Sequence, residues 1–152
     1  MKIKIEITDS IAEDEIIIRC KKLDGRIADI QKTITDKLQN KTGLVFYKDK
    51  DEYYFPLANI LFFETCNETV YAHTADDVFK TERRLYELQQ LLPYGFVRIS
   101  KSAIVNTVHI LSISRNLTSS SLIKFHKSHK QIYVSRLYYK ELKQHLNDER
   151  NV

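Results

Sequence analysis

The sequence predicts an α+β fold that is mostly β, built from small antiparallel sheets with a short helix at the side and another helix at the C-terminus. Short runs of β-branched and aromatic residues recur through residues 44–134, with polar turn-forming residues between them, which is typical of antiparallel strands. Only three segments place apolar residues at helical spacing. At 152 residues the chain can hold one domain and a small appendage.

The first 41 residues are predicted to form a small ββα segment. Isoleucines at positions 3, 5 and 7 alternate with charged residues, and residues 16–20 form a second β-branched run, so each stretch predicts a strand. Ile27, Ile30, Ile34 and Leu38 then recur every three to four residues, which predicts an amphipathic helix over residues 24–39. Because this segment alone buries little apolar surface, we expect it to pack on the rest of the chain or on a second copy.

From residue 42 onward the pattern becomes a series of short strands. We therefore predict a domain over residues 42–147, followed by a tail over residues 148–152. Its predicted strands cover residues 44–47, 53–55, 60–64, 69–73, 96–99, 103–105, 109–113, 122–125 and 132–134. Thr81 is the predicted N-cap of the side helix, which ends at Pro93, and Ser135 is the predicted N-cap of the final helix.

The charge distribution is strongly asymmetric. Residues 1–87 carry fourteen Lys or Arg against seventeen Asp or Glu, whereas residues 88–140 carry eight Lys or Arg and no acidic residue. This asymmetry indicates a polyanionic partner, and nucleic acid is the first candidate because cations that neutralise phosphates release condensed counterions. Most of these cations fall at predicted turns or element ends, where a side chain can reach a groove. The resulting candidate contacts are Lys101, Arg115, Lys127, Lys130, Arg136 and Lys140.

The sequence disfavours several other classes of protein. No apolar run approaches the length of a membrane span, so we expect a cytoplasmic protein. Three glycines and the lack of a phosphate-binding loop or nucleophile motif predict no enzyme activity, no cofactor and no small-molecule substrate. His126 and His129 lie three residues apart without a third ligand nearby, so we expect no metal site there.

The sequence FVRISKSAIVN over residues 96–106 is close to F-x-R-x-H-R-S-[YF]-[IL]-V-N, a phrase typical of the LytTR family of bacterial DNA-binding domains. Three further segments, over residues 56–64, 81–92 and 133–142, also resemble that family and follow its order. The resemblance implies an elongated set of small β-sheets whose inter-strand loops, and not a recognition helix, enter successive major grooves. The residues before position 42 are too few for the receiver domain that most members carry, so a stand-alone transcriptional regulator is implied.

The resemblance assigns readout of DNA to three places in this sequence. These are Asn67 and Glu68, then Ser100, Lys101 and Ser102, and finally Arg136. The guanidinium of Arg136 suits guanine, whereas Glu68 places an anion near DNA unless it accepts from cytosine N4. The pair Ser100–Lys101 departs from the His followed by Arg or Asn that the family usually has. We interpret Arg98 as structural, paired with Glu64 or Glu68 across the sheet.

The resemblance also suggests partners. LytTR-type sites are commonly paired direct repeats, so we expect a homodimer formed through residues 1–41. Short members often resemble products encoded beside a small membrane protein, which makes such a protein a candidate regulator. The alternative is a protein-interaction module that binds a regulatory partner, with the basic face making only non-specific contacts with polyanions. The two hypotheses differ in salt dependence, because DNA binding weakens steeply with salt.

Overall fold

The structure is a computed structural model that describes residues 4–12, 15–39 and 43–151. The helices in these residues are α1 (Gly25–Gln39), α2 (Leu85–Leu91) and α3 (Arg136–Arg150). The strands are β1 (Phe46–Lys48), β2 (Asp51–Tyr53), β3 (Ile60–Cys66), β4 (Thr69–Thr74), β5 (Val78–Thr81), β6 (Phe96–Ser100), β7 (Ala103–Asn106), β8 (Ile110–Ser114), β9 (Ser121–Phe125) and β10 (Gln131–Val134). Two short 3-10 helices, Leu57–Asn59 and Thr107–His109, lead into β3 and β8.

The larger sheet has seven antiparallel strands in the order β2-β1-β5-β4-β3-β7-β6. Its inner strand β3, which lies between β4 and β7, opens with four consecutive buried residues, Ile60–Phe63. Phe62 and Phe63 point to opposite faces and belong to separate apolar cores. A continuous apolar run is what a strand needs when both of its faces are covered.

The smaller sheet and the last helix cover one face of the larger sheet. Strands β8, β9 and β10 pair antiparallel in the order β10-β9-β8. Their inner side chains and Leu142 of α3 pack on Phe62, whose ring centroid lies 5.4 Å from that of Phe125. Leu85 and Leu88 of α2 join the core on the other face. The turns of both sheets therefore project from packed cores. Burial of each large apolar side chain in such a core stabilises the fold by about 1.5–3 kcal/mol.

The prediction of two strands in the N-terminal ββα segment is wrong for the residues that the structure describes. Residues 4–12 and 15–23 lie in no strand, and the side chains of Ile5 and Ile7 are 82% and 93% exposed. Position 3 of the first predicted strand lies outside the described residues. Among the described residues no strand lies beside either run, and an unpaired strand leaves its backbone groups without partners.

The helix of this segment is confirmed. It begins one residue later than predicted, at Gly25, because Asp24 is its capping residue. The Asp24 carboxylate accepts a hydrogen bond from the Ile27 amide at 3.1 Å, and this bond lowers the pKa of that carboxyl. An acceptor at this position satisfies one of the amides that the first helical turn leaves free.

The start of the side helix is also corrected. Thr81 is not its N-cap but the buried last residue of β5, a strand that the sequence analysis missed. The helix instead begins after Arg84, whose amide donates to the Glu87 carboxylate at 3.0 Å. Strand β5 has only four residues, and its alternation of exposed and buried side chains is short enough to be mistaken for the approach to a helix.

The final helix begins where it was predicted, with Ser135 as the N-cap. The backbone carbonyl of Ser135 accepts from the Tyr139 amide at 3.0 Å, which closes the first helical turn. The helix continues through Arg150, so residues 148–150 of the predicted tail belong to it. Position 152 lies outside the described residues.

Candidate nucleic-acid interface

Backbone hydrogen bonds join neighbouring turns at one end of the strands. The Thr65 amide in β3 donates to the Ser102 carbonyl at 2.8 Å, and the Ser135 amide before α3 donates to the Ile99 carbonyl at 2.9 Å. The first residue of β9 pairs with the last residue of β10, which brings the β8–β9 turn to the same end. We call this surface the basic edge and define it as residues 66–69, 100–103, 115–120 and 135–143.

Asn67 and Glu68 form the two-residue turn between β3 and β4. Both residues are exposed, and both have positive φ angles, +47° for Asn67 and +65° for Glu68. Two consecutive left-handed residues make the type of hairpin turn that matches the twist of the flanking strands. Asparagine adopts this conformation readily, whereas glutamate does so at a cost of about 1 kcal/mol. The turn therefore presents both predicted side chains at a tight hairpin tip.

Lys101 lies at the exposed tip of the β6–β7 turn. The Ser102 amide donates to the Ser100 hydroxyl oxygen at 3.1 Å, which closes the turn locally. Arg98 reaches toward the same turn: its Nε donates to the Ser100 carbonyl at 2.6 Å and its Nη2 donates to the Lys101 carbonyl. Its Nη1 donates to Gln89 Oε1 of α2 at 3.2 Å. All three predicted residues of this loop are thus brought to the basic edge.

The structural interpretation of Arg98 is confirmed, but its predicted partners are wrong. Its guanidinium binds the β6–β7 turn and Gln89, and neither Glu64 nor Glu68 is among its hydrogen-bond partners. The reason lies in the sheet order. Strand β7 separates β6 from β3, which places Arg98 and Glu64 roughly 10 Å apart across the sheet.

Arg136, Lys140 and Lys143 lie on one face of α3, because residues three and four apart are neighbours on a helix. Arg115 from the β8–β9 turn joins them, and its guanidinium carbon lies 5.1 Å from the centre of the Tyr139 ring. These five side chains line one open cleft, and no carboxylate is among the described residues that line it. Four cations without a local counter-charge form a surface suited to phosphate.

Lys143 is a residue of this cleft that the sequence analysis missed. It lies beyond the acid-free stretch, which ends at Lys140, directly before Glu141. Helical spacing was the signal that could have identified it, because Lys143 follows Lys140 by three residues in the predicted final helix.

The opposite end of the strands carries a different set of contacts. Ser128 Oγ donates to the Ala75 carbonyl at 2.9 Å, and Lys130 Nζ donates to the Asp77 carbonyl. Lys48 Nζ contacts both oxygens of the Asp77 carboxylate, at 2.7 and 2.6 Å. The bonds of Ser128 and Lys130 connect the β9–β10 turn of the smaller sheet to the β4–β5 turn of the larger sheet, and the Lys48 contacts connect β1 to that same turn. We call this surface the clasped edge and define it as residues 48–51, 74–78 and 126–130.

Two predicted DNA contacts, Lys127 and Lys130, lie at the clasped edge. The structure does not bring them together with Lys101, Arg115 and Arg136. Strand β3 runs from one edge to the other over seven residues, so the two edges are roughly 20 Å apart. The ammonium of Lys130 already has a partner inside the protein, whereas Lys127 is exposed at a turn position with a φ of +55°.

His73 lies on β4 beside the clasped edge. Its ring stacks on Phe62 with 4.2 Å between the centroids. Burial, together with the charge of Lys130, lowers the pKa of His73 to about 4, so the ring is neutral at pH 7. Its nitrogen lies 3.7 Å from the Glu64 carboxylate, and with a neutral ring this contact is not an ion pair. Burial also lowers the pKa of Lys130, and the nearby carboxylate of Asp77 opposes that effect.

Comparison with known families agrees with this geometry. The model of the LytTr DNA-binding domain matches residues 50–147, a range that contains every turn of the basic edge. The chain belongs to the LytTR family. The phrase over residues 96–106 that suggested this relationship corresponds to β6, the Lys101 turn and β7.

Full-length relatives come from Staphylococcus aureus, where they are described as uncharacterized HTH-type transcriptional regulators. The protein of strain NCTC 8325 / PS 47 is 34% identical over 148 residues, which cover 97% of this chain and 99% of the relative. The protein of strain MRSA252 is 33% identical with the same coverage. Because these alignments span almost the whole chain, the segment before the LytTR domain is shared with these relatives.

A solved structure supports the fold. The LytTr DNA-binding domain of a putative methyl-accepting/DNA response regulator from Bacillus cereus superposes with a TM-score of 0.62 at 25% identity. The match covers 68% of this chain and 95% of that domain. The predicted fold class of mostly antiparallel strands is therefore confirmed.

The described helices bear on two further points. In the described part of this chain five strands separate α2 from α3, so these two helices do not form a helix-turn-helix, although the relatives' name contains that term. None of the described helices is long and apolar enough to cross a membrane.

Proposed function

We propose that this protein is a transcriptional regulator that binds duplex DNA sequence-specifically through its basic edge. The cleft beside Arg136 carries the proposal, because four cations face it and none has a carboxylate partner among the described residues of that cleft. Membership of a DNA-binding family supports DNA as the ligand, and the name of the Staphylococcus aureus relatives supports a role in transcription. We propose no enzyme activity, no cofactor and no small-molecule substrate.

The three reading positions differ in chemistry. Arg136 offers two parallel donors to O6 and N7 of guanine, and Lys101 can reach the same acceptors or a phosphate. Asn67 can pair with adenine, and Glu68 can accept from the N4 amino group of cytosine. Ser100 and Ser102 place hydroxyl groups on either side of Lys101, where they can donate to base or phosphate oxygens.

Arg115, Lys140 and Lys143 are proposed phosphate contacts. The ring of Tyr139 holds the guanidinium of Arg115 in place, so less side-chain freedom is lost when a phosphate binds. Because Lys127 and Lys130 lie at the clasped edge, roughly 20 Å away, we propose that they stay outside this interface.

The shape of the turns supports entry into the major groove. The β3–β4 hairpin ends in a two-residue tip, and a two-stranded ribbon fits the width of the major groove. The start of α3 lies at the same edge. We propose that the β3–β4 tip and the start of α3 enter successive major grooves, with the β6–β7 turn between them.

A salt titration on the full chain tests this function. Sites are first selected from genomic DNA, and affinity for the best site and for a random duplex is then measured between about 50 and 200 mM salt, where several phosphate contacts predict a loss of a few decades. Failure to select any site, or binding that does not depend on salt, contradicts the proposal. In that case the alternative, a module that binds a protein partner, takes its place.

We further propose that residues 1–41 form a homodimer. Of the described side chains there, Ile5, Ile7, Ile16 and Ile17 are all more than half exposed, which is a large apolar surface for a monomer. The segment carries nine Lys or Arg and eight Asp or Glu, so two copies would not repel each other strongly. Pairing would also give the two runs of alternating and β-branched residues the neighbouring strands that one copy does not provide.

Sedimentation of the full chain and of a variant starting at Thr42 tests the homodimer. We expect the full chain to be dimeric at micromolar concentration and the shortened chain to be monomeric. A monomeric full chain, or a dimeric shortened one, contradicts the proposal. On the basis of the family resemblance we also propose a cytoplasmic location and a small membrane protein as regulator, and co-purification of a membrane protein with the full chain is the corresponding test.

A further inference from the structure

The β6–β7 turn depends on a side chain for part of its hydrogen bonding. The register of the two strands shifts between Arg98 and Ser100, which is the mark of a β-bulge beside the turn. Lys101 and Ser102 form the tip, outside the paired residues of the ladder. Carbonyl groups at such positions need partners other than a neighbouring strand. The guanidinium of Arg98 binds the carbonyl of Lys101 at the tip and that of Ser100 beside the bulge, while the Ser102 carbonyl accepts from the Thr65 amide.

The same guanidinium connects the turn to α2. Its third nitrogen donates to Gln89 Oε1 at 3.2 Å. Gln89 lies on a helix whose Leu85 and Leu88 are buried in the core. A planar guanidinium that is held on all three nitrogens cannot rotate freely. The position of the Lys101 turn is therefore set by α2 as well as by its own strands.

We infer that Arg98 and Gln89 are positioning residues for DNA readout, in that they hold the β6–β7 turn in the geometry that presents Lys101 to a base edge. This inference rests on the proposed DNA-binding function. Each nitrogen of Arg98 donates a hydrogen bond to a carbonyl or amide oxygen of the protein, so we assign its effect to the turn that carries Lys101. Loss of either positioning residue should weaken recognition of the specific site more than binding to random DNA.

The decisive variant is Arg98→Lys, because it keeps the positive charge and loses the planar fork. Gln89→Ala removes only one of the three contacts, and Gln90→Ala is its matched control on the same helix. Gln90 is also exposed and has no side-chain hydrogen bond among those of the described residues. Full-length variants are compared for affinity to the selected site and to random DNA at one salt concentration, and for melting temperature.

We expect Arg98→Lys to lower affinity for the selected site about tenfold, Gln89→Ala to lower it about threefold, and Gln90→Ala to leave it unchanged, with random-DNA affinity altered less than twofold in all three. Amide hydrogen exchange without DNA provides a second measurement. The Ser102 amide, which donates to the Ser100 hydroxyl, should exchange faster in Arg98→Lys and Gln89→Ala than in Gln90→Ala.

The outcomes separate this inference from the proposed function. If the wild-type protein shows no preference for any site, the proposed function fails, and the exchange rate of the Ser102 amide still tests the positioning role. If the wild-type protein is specific and Gln89→Ala keeps both its specificity and its Ser102 exchange rate, the inference is wrong. Equal losses on specific and random DNA would also overturn it, since they would indicate a charge or folding effect. Should Arg98→Lys fail to fold, Gln89→Ala alone decides.

Discussion

At the basic edge, Arg115, Arg136, Lys140 and Lys143 face a cleft in which no described residue supplies a carboxylate, whereas at the clasped edge the ammonium of Lys130 is bound to a carbonyl of the protein. Each edge includes cations from the basic stretch of residues 88–140, and each includes turns between short strands. They differ in that the ammonium of Lys130 at the clasped edge binds an oxygen of the protein, whereas the four cations of the cleft have no carboxylate among the described residues that line it. A count of cations therefore does not identify a DNA-binding surface. The contacts that those cations make within the protein do.

The clasped edge also has a structural consequence for the basic edge. Arg115 belongs to the smaller sheet and Lys101 to the larger one. The bonds of Ser128 and Lys130 to the β4–β5 turn connect the two sheets at the clasped edge. Because the sheets are connected, the β6–β7 turn and the cleft beside Arg136 keep a fixed position relative to one another. This lowers the entropic cost of ordering them when DNA binds.

The largest expected effect tests whether only one edge binds DNA. Arg136→Ala and Lys101→Ala should each cost about 1–3 kcal/mol of binding free energy on the selected site and much less on random DNA, because each loses hydrogen bonds to base edges. Lys127→Ala, an exposed cation at the clasped edge, is the matched control and should change neither affinity. A titration in which Lys127→Ala weakens binding as much as Arg136→Ala would remove the distinction between the edges.

A second prediction concerns the pH dependence of stability near the clasped edge. The pKa of His73 is lowered to about 4 in the folded protein, whereas an unfolded histidine titrates near 6.5. Between these values the unfolded chain binds the proton and the folded chain does not, so acidification favours unfolding. The free energy of unfolding should fall by about 2 kcal/mol from pH 7 to pH 5 through this group.

His73→Phe isolates this contribution, because phenylalanine keeps the stacking on Phe62 and cannot titrate. Urea unfolding at the two pH values should show a smaller difference for the variant than for the wild-type chain. An unchanged difference would mean that other groups cause the loss at pH 5.

A third prediction tests the clasp itself. Lys130→Met keeps an unbranched side chain but removes the ammonium that binds the Asp77 carbonyl. We expect a loss of about 1 kcal/mol in the free energy of unfolding, the typical net value of one hydrogen bond, with little change in affinity for the selected site. A loss of DNA affinity without a loss of stability would place Lys130 in the interface instead.

Local patterns predicted every described strand except β5, together with α1, α3 and the family. Tertiary pairing decided what the sequence left open. The run Ile60–Phe63 is buried on both faces and was identified from its residues alone. The N-terminal strand patterns have the same kind of residues, but no strand lies beside them in the described chain. Which oxygens these cations bind could not be predicted. The Asp77 carbonyl that binds Lys130 is distant in sequence, and the strand order, which places β7 between Arg98 and Glu64, is not evident from local patterns.

The smallest expected effect concerns the tip of the β3–β4 hairpin at the basic edge. Glu68 has a φ of +65°, a conformation that costs a non-glycine residue about 1 kcal/mol and costs glycine almost nothing. Glu68→Gly should therefore raise the free energy of unfolding by about 0.5–1 kcal/mol, since part of the gain is lost to the greater freedom of glycine in the unfolded chain. Asn67→Gly is the control and should change stability less, because asparagine already tolerates this conformation.

Glu68→Gly also tests why a residue with a strained backbone lies at the tip of the β3–β4 hairpin. Removal of an anion from the basic edge should strengthen binding to random DNA slightly, because Glu68 repels phosphates. If Glu68 reads a cytosine, affinity for the selected site should fall even though the protein becomes more stable, and one base pair of the site should lose its preference. A rise in affinity for both DNAs would instead mean that Glu68 only opposes binding, and the reading role at this tip would then rest with Asn67.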